Sequence, residues 1–327
     1  MKAVDLHCDT LSALRRARRE GNPIDPAGND LQIDLEKLEK GGSLLQCFAA
    51  FVFLKGEDDP LIAALEEIDE FYDVMARFPD RIAPVKTWAD LERNRAAGKI
   101  SALLTLEEGG ICRGNLSVLR SLYALGARIM TLTWNFENEL AWPNDIDMQT
   151  GAATPNTANG LKERGREFVA EMERLGMILD VSHLGDAGFW DVADMVTRPF
   201  IATHSNARSV CGHVRNLTDD MLRAVADKGG VAGINFCGAF LDPGEKPYST
   251  AHWMGEHIEH IRAVGGIDMI ALGSDYDGIE RDLEMYDCSR LPLLENELHR
   301  RHFSDDEIEK IFRGNALRVL KEFLPEK

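Results

Sequence analysis

The stretch VDLHCDT, residues 4–10, decides how the rest of the chain is interpreted, because an apolar opening run carries a histidine and two aspartates. His7 and Asp9 are two positions apart, and alternate side chains of a β-strand project from the same face. The spacing therefore predicts a strand that presents both side chains to one metal ion. Cys8, between them, is expected to face the opposite side and pack.

Further runs of β-forming residues follow at intervals, and most are separated by stretches of helical period. The eight predicted strands are residues 3–9, 44–52, 102–109, 128–135, 177–183, 200–206, 230–236 and 269–277. The predicted helices are residues 60–78, 87–97, 114–125, 160–175, 186–196, 218–228, 250–264 and 304–323. Alternating strands and helices favour a parallel sheet, so the predicted class is α/β.

Eight such units in 327 residues favour a closed (β/α)8 TIM barrel over an open doubly wound sheet. The chain contains no GxGxxG or GxxxxGK[ST] motif that would indicate nucleotide binding. No repeat or linker divides it, so we expect a single domain over residues 1–327. The loop of residues 142–160, rich in Pro, Asn, Gly and Thr, is expected to cover the mouth of the barrel.

Composition and charge exclude several classes of partner. The chain has 55 acidic and 37 basic residues, a net charge of −18, so nucleic acid and anionic membrane surfaces are repelled. The longest apolar run, SLLQCFAAFVFL at residues 43–54, is too short to cross a bilayer, and the chain enters its first predicted strand without a secretory segment. Six scattered cysteines form no CxxC pair, which is typical of free thiols. We expect a cytoplasmic protein that binds neither membranes nor nucleic acid.

Polar side chains cluster where predicted strands end. The strand ends carry His7 and Asp9, Glu107 and Glu108, His183, His204, and Asp275 with Asp277. Each alone has a structural explanation, such as a turn cap, but barrel active sites are built at these strand ends, so the joint pattern favours a site. Imidazoles and carboxylates suit Zn²⁺ and also Mn²⁺, Fe²⁺ or Co²⁺. There are more ligands than one catalytic zinc needs, which favours two ions about 3.5–4 Å apart.

Five motifs carry a family resemblance. They are LHCDT (6–10), EEGG (107–110), LDVSH (179–183), ATHSNARSVCGHVRN (202–216) and LGSDYDG (272–278). In order and approximate spacing the chain resembles the membrane dipeptidase (renal dipeptidase) family, peptidase family M19 of the amidohydrolase superfamily. The resemblance implies a distorted (β/α)8 barrel with two zinc ions, and hydrolysis of small dipeptides, including L-Xaa-D-Xaa, by a hydroxide that bridges the ions. Members are commonly homodimers, so a homodimer is expected.

Carried over motif by motif, the resemblance also implies the metal ligands. These are His7 and Asp9 for one zinc ion, His183 and His204 for the other, and Glu108 as the bridge between the two ions. Glu108 is the residue that matches the family's bridging acid because it stands immediately before Gly109, and Glu107 is not the match.

Four further residues are assigned around the substrate. The resemblance implies that Arg215 binds the free carboxylate of the substrate, which suits a planar guanidinium, and that Asp275 passes a proton to the leaving amine. Trp134 departs from the family, which often has a histidine at this point after TLT. An indole offers one N–H and no positive charge, so we expect Trp134 to reshape the substrate pocket. Asn135 is a candidate substitute donor, with Asn138 and His213 as alternatives, and a structural role is favoured for each.

Other functions remain open at this point. The same two-metal site could serve a related amidohydrolase that acts on another small amide, an N-acyl amino acid or a lactone. A non-catalytic binding protein derived from such an enzyme is the third interpretation, and the complete ligand set argues against it. His252, His257 and His260 lie on one predicted helix without a ligand motif and are expected to be solvated or to lie behind the site.

Overall fold

The computed structural model describes residues 1–57, 59–147 and 149–327. Its strands are β1 (Ala3–Asp5), β2 (Ser43–Phe51), β3 (Ile82–Pro84), β4 (Ile100–Glu107), β5 (Ile129–Thr131), β6 (Asp145–Ile146), β7 (Ala153–Thr154), β8 (Ile178–Asp180), β9 (Ala232–Ile234) and β10 (Ile270–Leu272). Its α-helices are α1 (Thr10–Arg19), α2 (Leu35–Gly41), α3 (Pro60–Arg77), α4 (Trp88–Ala96), α5 (Leu116–Leu125), α6 (Glu163–Leu175), α7 (Asp186–Met195), α8 (Asp219–Asp227), α9 (Gly238–Leu241), α10 (Ala251–Gly265), α11 (Pro292–Arg300), α12 (Asp305–Glu309) and α13 (Asn315–Phe323).

The central sheet is parallel and curled. Seven strands pair in the order β8-β5-β4-β2-β1-β10-β9, and β3 pairs with the first three residues of β4. The gap between β8 and β9 is spanned by residues 201–202, where Asp180 pairs with Ile201 and Ala202 pairs with Ala232 as isolated parallel bridges. With this segment in the eighth strand position, the α/β barrel expected from the sequence is confirmed.

Two apolar layers hold the barrel together. The buried residues Leu45, Leu103, Ile129 and Ile178 lie on inward-facing strand positions and pack with Val319 and other apolar residues of α13. The larger cluster fills the space between the strands and the surrounding helices. Burial of this apolar surface is the main source of stability.

Side-chain caps mark the start of two of these helices. The Thr218 hydroxyl accepts the backbone N–H of Met221 at the start of α8. At the start of α12, Ser304 and Glu307 form a capping box, each side chain accepting the other's backbone N–H. Such caps satisfy N–H groups that have no partner within the helix, so they fix where these helices begin.

The structure departs from the expected elements in several places. The predicted strand 200–206 is reduced to the two isolated bridges, and β3, α1, α2, α9 and α11 are additional. The predicted helix 304–323 is divided by a π-helical turn at Lys310–Gly314. The loop 142–160 contains the short antiparallel hairpin β6-β7, and Met148 within it lies outside the described residues. Among the described residues, no helix combines the length and the apolar character needed to cross a bilayer.

Candidate active site

The polar strand ends meet at one mouth of the barrel. His7 and Asp9 follow β1, Glu107 is the last residue of β4, and His183 follows β8. His204 follows the bridging segment 201–202, and Asp275 follows β10. A cavity of about 720 Å³ opens above them, and the hairpin residues Ile146 and Asp147 form part of its wall.

Glu107 lies at the centre of this group. Its Oε2 is 3.2 Å from Nε2 of His7, and its Oε1 is 3.0 Å from Nε2 of His183. Oε1 is also 3.8 Å from Nε2 of His204. The Glu107 carboxylate therefore faces His7 with one oxygen and His183 and His204 with the other, which is the arrangement that a ligand shared by two ions requires.

Glu108 does not meet the histidines, which corrects the expectation that it bridges two ions. Its carboxylate accepts hydrogen bonds from the backbone N–H groups of Gly110 (2.7 Å) and Trp134 (2.9 Å) and from the side chain of Asn138. Glu108 has a φ of 99°, because the chain turns sharply after β4. Its side chain thus stabilises the loop beside the site, and the central position belongs to Glu107.

The imidazoles of His183 and His204 are oriented for a cation. Nδ1 of His183 lies 2.8 Å from Oδ1 of Asn135, which can only accept, so Nδ1 carries the proton. Nδ1 of His204 lies 2.7 Å from the Thr203 hydroxyl, which already donates to Asp180. Both Nε2 atoms therefore present lone pairs, and they face each other 3.0 Å apart. Two lone pairs at this distance repel unless a positive ion lies against them.

His7, Asp9 and Asp275, on the other side of Glu107, are also arranged to bind a cation. The His7 ring stacks on His204 with ring centroids 3.9 Å apart, and its Nε2 is 3.4 Å from Oδ2 of Asp9 and 3.9 Å from Oδ1 of Asp275. His7 Nε2 and Asp9 Oδ1 are buried without a hydrogen-bond partner. Burial raises the pKa of Asp9 and of Asp275, because ionised carboxylates are poorly solvated there. Divalent cations would offset this cost, so the donor set fits them.

Three buried residues that the sequence analysis did not single out hold the group in place. Asp180 accepts hydrogen bonds from Thr203 and other neighbours on adjacent strands and so orients His204 through Thr203. Asn235 donates from Nδ2 to Oδ2 of Asp275 at 2.8 Å. Asp5 accepts from the backbone and the hydroxyl of Ser274. For Asp5 and Asp180 the available signal was an acidic residue within an apolar strand, two positions before His7 and three before His183, whereas Asn235 had no such signal.

Arg215 lines the cavity, and its guanidinium N–H groups make few and long hydrogen bonds. Its side chain is buried, yet its contacts are long, 3.5 Å to the Ser205 hydroxyl and 3.4 Å to the His204 carbonyl. Its Nε has no hydrogen-bond partner. Burial lowers the pKa of Arg215, although the group remains a cation. A buried guanidinium with free donors is suited to bind an anionic ligand group.

An ion pair fixes the loop that carries Arg215. Arg208 donates to both carboxylate oxygens of Asp186 at 2.7 and 2.8 Å, and it also donates to the carbonyls of Val214 and Asn216 on either side of Arg215. Because these bonds hold the backbone on both sides of Arg215, the ion pair determines where the guanidinium lies.

The remaining predicted residues are also placed. Trp134 and Asn135 follow β5 and line the cavity. Asn135 contacts His183, so the geometry favours a role in orienting that imidazole. Of the two placements expected for His257, in solvent or behind the site, the structure shows the buried one. It is fully buried, accepting from the Ala207 backbone at 3.1 Å through Nδ1 and contacting the Leu241 carbonyl at 3.0 Å through Nε2.

Comparison with known proteins identifies the family. The model of the membrane dipeptidase family, peptidase family M19, matches residues 1–325. The chain belongs to peptidase family M19. Human dipeptidase 3 is 31% identical over 293 residues, which cover 89% of this M19 chain and 58% of the human protein. An uncharacterised protein from the pqqA 5' region of Klebsiella pneumoniae is 34% identical over 268 residues, covering 80% of this chain and 97% of that protein.

Solved structures of M19 peptidases agree with the fold. The dipeptidase AC, a metallopeptidase of family M19, superposes with a TM-score of 0.89 at 26% identity and covers 99% of both chains. A Rhodobacter sphaeroides metallopeptidase, solved with a phosphinate mimic of L-Ala-D-Ala, superposes with a TM-score of 0.88 at 25% identity, also over 99% of both chains. This M19 chain is therefore a metallo-dipeptidase, a hydrolase with the TIM-barrel amidohydrolase fold. The expected homodimer, cytoplasmic location and single domain stay predictions from the sequence.

Proposed function

We propose that this chain hydrolyses dipeptides with two zinc ions bound at the mouth of the barrel. The observation that supports this most strongly is the convergence of three imidazoles and two carboxylates below one cavity, with Glu107 between His7 on one side and His183 and His204 on the other. His7, Asp9 and Glu107 form one potential ligand set, and Glu107, His183 and His204 form the second. Nitrogen and carboxylate donors favour zinc.

The remaining residues act on the substrate. When bound, zinc supplies Lewis-acid polarisation of the scissile carbonyl and activation of the attacking water. Asp275 lines the cavity beside His7, and its Oδ2 is held by Asn235, so its other oxygen is available to take a proton from the water and deliver it to the leaving amine. Arg215 binds the C-terminal carboxylate, which fixes the peptide relative to the attacking water.

The stereochemical preference forms part of the proposal. The Rhodobacter sphaeroides relative, 25% identical, was solved with a mimic of L-Ala-D-Ala. We extend this to the present chain as acceptance of L-Xaa-D-Xaa dipeptides. The test is amine release from matched L-Xaa-L-Xaa and L-Xaa-D-Xaa dipeptides by zinc-loaded and metal-stripped protein. Turnover that requires metal supports the proposal, and no turnover of any dipeptide by protein with two zinc ions per chain contradicts it.

Arg215→Met is expected to lower kcat/KM for dipeptides with a free C-terminal carboxylate about 10- to 100-fold, as for the loss of a hydrogen bond to a charged group. The same dipeptides with a C-terminal amide lack the anionic partner of Arg215. For them wild type and variant should differ little. Steady-state kinetics on both substrate forms checks this, and an equal loss on the two forms contradicts carboxylate binding.

Arg208→Lys is expected to raise KM at least about tenfold for free-carboxylate dipeptides, because a lysine cannot bind Asp186 and two carbonyls together, and displaced binding groups are costly. Dipeptide amides should be far less affected. The control is Arg174→Lys, which alters a similar two-pronged pair with Glu171 on the surface. A loss that is independent of the substrate carboxylate would show that Arg208 serves only general stability.

A further inference from the structure

Four aromatic side chains, which we call the aromatic wall, stand on one side of the cavity: Phe51, Phe53, Trp134 and Phe136. The Trp134 ring lies 5.1 Å from Phe51, 5.6 Å from Phe53 and 5.5 Å from Phe136, measured between ring centroids. These are tilted and edge-to-face contacts of the kind that stabilise aromatic clusters. The indole is therefore held in a fixed orientation by rings on several sides.

The aromatic wall reaches the metal-binding group. Trp134 and Phe51 line the cavity, and the Trp134 ring is 6.1 Å from the His183 ring. Trp134 and Phe51 are each only partly buried, so apolar ring surface faces the cavity. Nζ of Lys55 lies 3.9 Å from the centroid of Phe136, and Phe53 is partly exposed to solvent. A ligand beside His183 would remove the exposed indole surface from water.

The order of strands places the wall opposite Arg215. Phe51 ends β2 and Trp134 follows β5, and these strands flank β4, which carries Glu107. Arg215 follows the segment 201–202 in the chain, and its guanidinium packs 5.5 Å from the ring of Phe240, which follows β9. In the closed barrel, β4 lies almost opposite to β9 and the neighbouring segment 201–202. Glu107 and His183 thus lie between the wall and the guanidinium.

We propose that the aromatic wall binds the side chain of the N-terminal residue of the dipeptide and selects large apolar or aromatic residues there. This inference rests on the proposed function. If Arg215 holds the C-terminal carboxylate and the scissile carbonyl lies at the metal-binding group, the N-terminal residue extends towards Trp134. A side chain that covers the indole buries apolar area on both partners, which favours large residues over alanine.

The test uses two series of dipeptides with zinc-loaded protein. In the first, Ala, Leu and Phe vary at the N-terminal position and alanine is kept at the C-terminal position, in its better-accepted stereoisomer. In the second, the same side chains vary at the C-terminal position. Wild type should prefer Phe and Leu over Ala in the first series about tenfold or more in kcat/KM, the range for added apolar groups in a pocket. Trp134→Ala should reduce this preference about tenfold, with the ratios in the second series unchanged.

The control is Trp190→Ala, because Trp190 is an exposed indole on α7 outside the cavity lining and should leave all ratios unchanged. Phe51→Ala provides a second variant if Trp134→Ala fails to fold, and it should also reduce the N-terminal preference. An N-terminal preference that is absent in wild type, or equal in wild type and both variants, overturns the inference. So does a loss that is uniform across both series, since this would reflect general damage or contact with the substrate ammonium group.

Binding of non-hydrolysable mimics separates this inference from the proposed function. Calorimetry would compare phosphinate dipeptide mimics that carry a benzyl or a methyl side chain on the N-terminal side. Tighter binding of the benzyl mimic to wild type, reduced in Trp134→Ala, supports the wall even if no dipeptide is hydrolysed, in which case only the proposed activity fails. Equal binding of the two mimics, or no binding of either, contradicts the inference that the aromatic wall binds the N-terminal side chain.

Discussion

Glu107→Gln is expected to remove both metal and activity. The Glu107 carboxylate approaches Nε2 of His7 with one oxygen and Nε2 of His183 with the other, so both proposed ion positions depend on it. An amide provides one oxygen and a neutral NH2 group, which is a hydrogen-bond donor and a poor metal ligand. Activity should fall by more than about a hundredfold, the upper range for losing a group that only supports a ligand.

The matched control is Glu108→Gln, one residue further along the chain. Glu108 accepts three hydrogen bonds and contacts none of the three histidines, so the variant should retain its metal. Placing an amide NH2 against N–H donors should lower the free energy of unfolding by about 1–3 kcal/mol. Metal content per chain and thermal unfolding distinguish the two variants. Metal loss in Glu108→Gln with metal retained in Glu107→Gln would reverse the assignment.

Asp275→Asn is expected to reduce kcat by about 10²–10⁴, the range for general acid–base catalysis, while metal content is largely retained. Asn235 donates to Oδ2 of Asp275, so the asparagine should turn its oxygen to Asn235 and keep the local structure. Its NH2 group then takes the position of Oδ1 beside His7, where it cannot accept a proton. Single-turnover kinetics and metal analysis of the same sample measure both effects.

Asp277→Asn tests whether this loss is specific. Asp277 also has a positive φ and is largely buried, but it accepts the Thr10 hydroxyl at 2.7 Å and the Gln32 backbone N–H at 2.6 Å. Its replacement should therefore affect stability more than kcat. Equal losses of kcat in the two variants would mean that any change in this loop disturbs catalysis, and the proton-transfer role of Asp275 would have to be withdrawn.

The strand ends could be predicted from the sequence because their periodicity is local. β1 ends at Asp5, so His7 and Asp9 lie just beyond the strand rather than on it as predicted, and six of the other predicted strands overlap strands of the structure. The hairpin β6-β7 could not be predicted, since strands of two residues are too short to show a period. The sequence also left open whether His257 is solvated or buried, because its partners Ala207 and Leu241 are distant in sequence.

The choice between two adjacent glutamates shows where motif matching fails. In ALLTLEEG, Leu103, Thr105 and Glu107 share one face of β4, and Leu103 belongs to the cluster enclosed by the barrel. The alternation of side chains therefore turns Glu107 towards the mouth. The positive φ of Glu108 marks the end of that alternation, and it depends on hydrogen bonds to the loop after β5 that sequence spacing does not reveal.

The isolated bridges that close the sheet lie next to the proposed metal ligands, so metal binding would also affect the stability of the closed barrel. His183 and His204 lie just beyond the two segments joined by the single pair Asp180 and Ile201, where the backbone N–H of Val181 donates to the Ile201 carbonyl and that of Ile201 donates to the Leu179 carbonyl. His183 and His204 would hold an ion from the two sides of this joint, and a ligand that binds only the closed barrel would stabilise the closed state by its binding free energy. Binding of the metal would then also stabilise the closed barrel.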